Sequence, residues 1–136
     1  MPVKKKATFG ELVKIMAKLR APGGCPWDRV QTHESLLKYL DEETREVREA
    51  VHKKDWENLK EELGDVLLQI LFHSNIARGK KVFDIYDVLT ILKDKLIRRH
   101  PHVFGKGKKE KLAPDEVKAR WKIIKEKEKA ALKKRR

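Results

Sequence analysis

The sequence predicts an all-α fold, a bundle of helices. Three observations carry that reading. Apolar residues recur at helical spacing nearly throughout, no alternating strand pattern persists, and the helical stretches are separated by capping residues, glycines and prolines. A length of 136 residues fits one domain with a real core.

The elements follow in order. Thr8 and Glu11 form a capping box that opens a first helix from Phe9 to about Arg20, and Ala21-Pro-Gly-Gly-Cys-Pro26 breaks it. A second helix starts after Thr32 and runs to about Lys53. Asp55 caps a third, from Trp56 to Arg78, which ends at Gly79. Asp84 caps a fourth, which ends at His100 because Pro101 follows. Gly105 to Leu112 is a Gly/Lys-rich linker, and Pro114, Asp115 and Glu116 form the first turn of a last helix, to about Leu132. The chain has no internal repeats.

Composition bounds the function classes. No segment approaches about eighteen uninterrupted apolar residues, so no membrane span is predicted. The start is basic but has no apolar stretch behind it, unlike a secretory signal. The single cysteine, Cys25, excludes an internal disulfide or a Cys-based zinc cluster, and a reducing cytoplasm is the natural compartment. The net charge of +13 sits in the tails: residues 1–6 carry +3, residues 106–136 carry +9, and residues 7–105 only +1. A run such as Lys133-Lys134-Arg135-Arg136 can attract nucleic acid or an anionic surface; a solvated, frayed terminus is the alternative.

Two acidic motifs dominate the chain, Glu43-Thr-Arg-Glu46 and Glu62-Leu-Gly-Asp65. Each pair is spaced i,i+3, so its carboxylates share one side of a helix about one turn apart. Fifteen residues lie between the motifs, enough for one helix to end, turn and run back antiparallel, bringing the carboxylates together. Oxygen-only ligands suit Mg²⁺ or Mn²⁺, and Mg²⁺ on few carboxylates usually waits for a phosphate substrate. On the second predicted helix Leu36, Leu40, Val47 and Ala50 define a buried stripe with Glu43 in its middle and Glu46 at its edge. On the third, Asp65 heads an apolar stripe with Leu68 and Phe72. Ion pairing explains Glu42, Glu49 and Glu57 well, but Glu43 and Asp65 have apolar neighbours. Spacing alone leaves a metal site and ion pairing both open.

The third predicted helix carries a second apolar stripe, Leu59, Leu63, Val66, Leu67 and Ile70, opposite Leu68, Phe72 and Ile76. A helix apolar on two sides is buried on two sides, which predicts a second subunit. On the fourth, Val88, Leu92 and Leu96 form an inner stripe, with Arg99 on it, Lys95 at its flank and Arg98 pointing elsewhere. Two inward cations near an acidic cluster either neutralise it or bind phosphates. His33, His73, His100 and His102 show no zinc-like spacing and read as cap, core or surface residues; Cys25 has no compelling histidine partner. Trp27 reads as a core plug, with base stacking as the alternative. The common nucleotide-binding and hydrolase loops (GxGxxG, GxxxxGK[ST], GxSxG) are absent.

At these residues the chain resembles the MazG family of nucleoside triphosphate pyrophosphohydrolases. The likeness covers roughly 9–105 and rests on Gly24-Cys-Pro-Trp-Asp28, Gln31-Thr-His-Glu-Ser35, Tyr39-Leu-Asp-Glu-Glu43, Glu61-Glu-Leu-Gly-Asp65, Phe72-His73 and Lys95-Leu-Ile-Arg-Arg-His-Pro-His-Val-Phe-Gly105. It implies an all-α NTP pyrophosphatase domain over 9–105, between a basic extension (1–8) and a basic linker and C-terminal helix (106–136). It implies assembly as a homodimer or tetramer, and Mg²⁺-dependent hydrolysis of an NTP to NMP and pyrophosphate. Glu43, Glu46, Glu62 and Asp65 match the family's metal ligands, and Lys95 and Arg99 its basic residues near the phosphates. Tyr39–Glu42 and Asn58–Glu61 match stretches that approach the nucleotide, and Trp121 matches an aromatic near the base. Glu42 or Glu61 is the candidate to orient an attacking water. Many members carry two such domains in tandem; this sequence carries one, and its Gly-Cys-Pro-Trp-Asp loop resembles the first. The rival readings are a non-enzymatic helical nucleic-acid binder that uses the basic tails, or a silent oligomerisation module.

Overall fold

Helices and their connections make up the whole of the structure, a computed structural model that describes residues 5–106 and 110–135. The start of the basic extension, part of the predicted linker (107–109) and Arg136 lie outside the described residues. The helices are α1 (Phe9–Arg20), α2 (Pro26–Val30), α3 (His33–His52), α4 (Trp56–Gly79), α5 (Ile85–Arg99), α6 (Pro101–Phe104) and α7 (Pro114–Arg135), with no strand among the described residues.

The starts obey local chemistry. Thr8 and Glu11 close the predicted capping box, and Thr32 and Ser35 make an equivalent one at α3. The Asp55 side chain accepts from the Asn58 amide, and Asp84 accepts from those of Tyr86 and Asp87. Two short helices, α2 and α6, were not predicted. α2 begins at Pro26, a residue suited to a first helical position, straight after the break at Ala21–Cys25. At five residues it is too short for its apolar spacing to register.

The chain divides into two compact units, up to Val88 and from Leu89 on. In the first, α3 and α4 form an antiparallel hairpin across a three-residue turn in which Lys54 takes a positive φ of 55°. Met16, Leu36, Leu71, Phe72, Ile76 and Ile85 form its core, with Phe9, Leu12, Tyr39 and Leu67 packed against them. Trp27 sets its ring edge-on to Tyr39 and Phe72 while staying half exposed. Arg20 donates to Asn75 and to the Asp28 carbonyl, tying α1, α2 and α4 together.

The two-sided burial predicted for α4 is only partly met within one chain. Leu71, Phe72, Ile76 and Ala77 are buried, but Leu63 is 53% exposed, Ile70 42% and Leu68 40%. The elements of one chain cover one side of this 24-residue helix and leave those three leucine and isoleucine side chains in solvent.

In the second unit the Trp121 indole N–H donates to the Arg99 carbonyl at 2.8 Å, and His100 packs edge-on against that ring. Arg98 and Arg99 both donate to Glu128, and Arg120 donates to Glu110 at 2.7 Å. The inner stripe predicted for this part of the chain is corrected: Leu92 and Leu96 are 49% and 46% exposed. α7 continues past Leu132 to Arg135, so the basic C-terminal residues up to that point are helical.

Candidate metal centre

The α3–α4 hairpin brings the two acidic motifs face to face. Each of Glu43, Glu46, Glu62 and Asp65 offers a carboxylate oxygen, and these oxygens all lie within 4.8 Å of one another. Helix geometry makes this possible. The i,i+3 spacing puts both acids of each motif on the face turned toward the other helix, and the antiparallel register sets the motifs opposite each other.

Nothing among the described residues neutralises the cluster. No lysine or arginine is within ion-pair distance of the four carboxylates. Glu62 is buried at 8% exposure, and one oxygen each of Glu43 and Glu62 is buried with no hydrogen-bond partner. Such groups carry a desolvation cost that only a proton or a cation relieves. The Glu62 carboxyl is pushed up to about 7, first by its side-chain hydrogen bond with Glu46, then by burial and by the charges of Glu46, Asp65 and Glu43. Glu43 is raised too, by burial and by the charges of Glu46 and Asp65. The donor set fits a hard divalent ion. Such an ion holds opposite oxygens at about twice its 2.0–2.6 Å bond length, roughly 4–5 Å apart.

The other predicted residues fall as follows. Glu42 and Glu61 are exposed neighbours of the cluster in sequence. Tyr39 lies half-buried on α3 with its ring against Trp27. Asn58 is exposed in the first turn of α4. Lys95, Arg99 and Trp121 belong to the second unit, where Arg99 meets Glu128 through both Nε and Nη2.

Two features escaped the sequence reading. Gln69 follows Asp65 by one turn of α4 and is 6% exposed, with a buried Oε1 that has no partner. Further along the hairpin, His33 and His73 stack with ring centroids 5.0 Å apart and their Nδ1 atoms at 2.7 Å. One nitrogen of that pair must carry the proton the other accepts. Burial and His33 both lower the pKa of His73. For Gln69 the available signal was its position on the Glu62–Asp65 face; the histidines, forty residues apart, carried none.

Comparison with known proteins identifies a family and a fold. Residues 31–104 match the family description "MazG nucleotide pyrophosphohydrolase domain". The chain is 62% identical over 97 residues to the nucleoside triphosphate pyrophosphohydrolase/pyrophosphatase MazG of Thermotoga maritima, covering 71% of this chain and 38% of that protein. It is 44% identical over 120 residues to the nucleoside triphosphate pyrophosphohydrolase of Escherichia coli, covering 88% of this chain and 45% of that one. The chain thus spans less than half the length of these two relatives. The crystal structure of a MazG-related protein from Thermotoga maritima superposes with a TM-score of 0.70 at 33% identity, over 86% of this chain and 98% of the other. With the matched segment holding both acidic motifs and exceeding half the chain, this protein belongs to the MazG nucleotide pyrophosphohydrolase family.

Proposed function

We propose that this protein hydrolyses nucleoside triphosphates to nucleoside monophosphate and pyrophosphate with Mg²⁺, or Mn²⁺ in its place. The observation that carries the reading is the cluster itself: four carboxylates, two of them with buried oxygens that lack any partner, in a chain of this family. Glu43, Glu46, Glu62 and Asp65 would hold the divalent ion. That ion supplies Lewis acidity and charge neutralisation at the phosphates.

The remaining roles belong to the chain. An exposed carboxylate, Glu42 or Glu61, orients the attacking water and takes up its proton. Tyr39 and Asn58 border the nucleotide, with Trp121 toward the base. Lys95 and Arg99 balance charge on the departing pyrophosphate. The Glu128 carboxylate now fills the Arg99 fork, and a phosphate group would present the same paired oxygens to it. Assembly as a dimer or tetramer is part of the proposal, supported by the exposed Leu63, Leu68 and Ile70 on α4. A reducing cytoplasm, with a role in the nucleotide pool, suits a chain whose one cysteine is free.

The test is direct. Purified protein is incubated with a panel of NTPs and Mg²⁺, and the products are separated. NMP with pyrophosphate supports the reading; NDP with phosphate, or no turnover, removes it.

A further inference from the structure

The second unit carries a charge pattern that the proposed hydrolysis does not use. Three of its arginines, at 98, 99 and 120, are paired with carboxylates. The lysines of α7 are not. Lys118, Lys122, Lys125, Lys129 and Lys133 are exposed, and none is within ion-pair distance of an acid among the described residues. At about 100° per residue they fall in one sector roughly 80° wide, and they run for roughly 22 Å along the helix. Asp115 enters that sector at the first turn and Glu126 borders it.

The helix is held so that this sector faces outward. Val117, Trp121, Ile124 and Glu128, which flank the sector on one side, are half-buried. Trp121 and Glu128 are pinned by the Arg99 carbonyl and by the Arg98 and Arg99 guanidinium groups. The stripe is therefore presented by an anchored helix.

We propose that the lysine face of α7 is a docking surface for the phosphate backbone of nucleic acid, read without regard to sequence. A row of point charges on short centres suits a regular line of phosphates. The stripe includes no amide side chain, and Trp121 at its border already donates its indole N–H to the Arg99 carbonyl, so no side chain there is free to read a base edge. A membrane surface fits less well. Interfacial helices insert a continuous apolar face, and the large apolar side chains that α7 leaves exposed, Ile123 and Leu132, lie on opposite sides of it.

The test uses the full chain and fluorescein-labelled mixed-sequence oligonucleotides of about 20 units, followed by anisotropy across a salt series. Binding should weaken linearly in log–log form with a slope of about −4, equally for two unrelated sequences. Replacing Lys118, Lys122, Lys125 and Lys129 by Gln should weaken binding at least about tenfold at low salt and flatten the slope by about three. Arg at the same four positions should restore it. Gln at Lys5, Lys6, Lys127 and Lys134, which removes the same charge elsewhere, should change affinity less than about twofold, and circular dichroism should find α7 intact in every variant. Absence of saturable binding overturns the proposal. So does an equal loss in the control variant, or tighter binding to phosphatidylserine vesicles than to the oligonucleotide.

Discussion

Carboxylates are treated in opposite ways at two places in this chain. At Glu128 one carboxylate meets two arginines. Arg99 lowers its pKa most, burial works against that, and Arg98 lowers it further. At the α3–α4 hairpin a carboxylate meets three others, and Glu62 is pushed up to about 7. The first arrangement is complete in the polypeptide, so it is structural. The second is complete only with something added, a proton or a cation. Electrostatic self-sufficiency therefore separates residues that hold the fold from residues that wait for a partner.

The largest effect should come from breaking the unsatisfied side of that contrast. Glu43→Gln or Asp65→Asn should lower turnover of NTP by more than about 100-fold, exceeding what the loss of an outer-shell partner costs. Neither should unfold the protein. Each removes one charge from a repelling cluster, so the metal-free melting temperature should hold or rise, and the increase that Mg²⁺ gives wild type should vanish. Thermal scans with and without Mg²⁺, beside turnover assays, check both halves. Normal activity in either variant would sink the metal-centre assignment.

Arg99 comes next because it belongs to both sides of the contrast. It completes the Glu128 pair, and it is proposed to meet phosphate. Arg99→Lys keeps the charge but loses the planar fork. We predict a fall of about tenfold in kcat and kcat/KM together, since the contact is to strengthen as pyrophosphate departs. Steady-state kinetics decides: a loss confined to KM means uniform binding, and unchanged kinetics in Arg99→Ala takes the residue out of the site.

The sequence made the helices legible because their ends are written locally. Thr8, Thr32, Asp55 and Asp84 cap as their chemistry demands. The acidic cluster was legible for the same reason: two i,i+3 pairs and one short turn leave little freedom in where the acids meet. What could not be read depends on register and depth. His33 and His73 meet only because the antiparallel packing aligns residues forty apart. Gln69 looks like any surface amide until the hairpin buries it. The exposure of Leu63 and Ile70 could not be told from burial, because apolar spacing marks a face without saying what covers it.

A pH series sharpens the comparison. Glu62 holds its proton more tightly folded than unfolded, where its ordinary value is 4.5. Its contribution to metal-free stability is therefore fully present below about pH 4.5 and is lost as pH rises toward about 7. Melting temperatures taken without metal should fall across that window, and Glu62→Gln should flatten the decline. Mg²⁺ competes with the same proton, so its stabilising shift should shrink as pH drops below about 7. A Mg²⁺ shift independent of pH would mean that the ion binds elsewhere.

Glu128 should show the opposite sign and the smallest effect. Its folded pKa is lowered by Arg99 and Arg98, so its contribution is present above the ordinary 4.5 and lost as pH falls through the lowered value. The pair is partly exposed, with side-chain accessibilities of 24% for Arg99 and 21% for Glu128, so solvent screens much of it. Glu128→Gln keeps the shape and one acceptor oxygen while removing the charge. It should cost about 1 kcal/mol at neutral pH, roughly 3 °C in melting temperature for a chain of this size. Added salt should narrow the gap between variant and wild type, because exposed pairs are screened. As pH falls through the lowered value the two curves should converge, since wild type then loses the same charge. A gap that stays constant from neutral pH down into acid would show that Glu128 acts through its shape and packing, and not through its arginines.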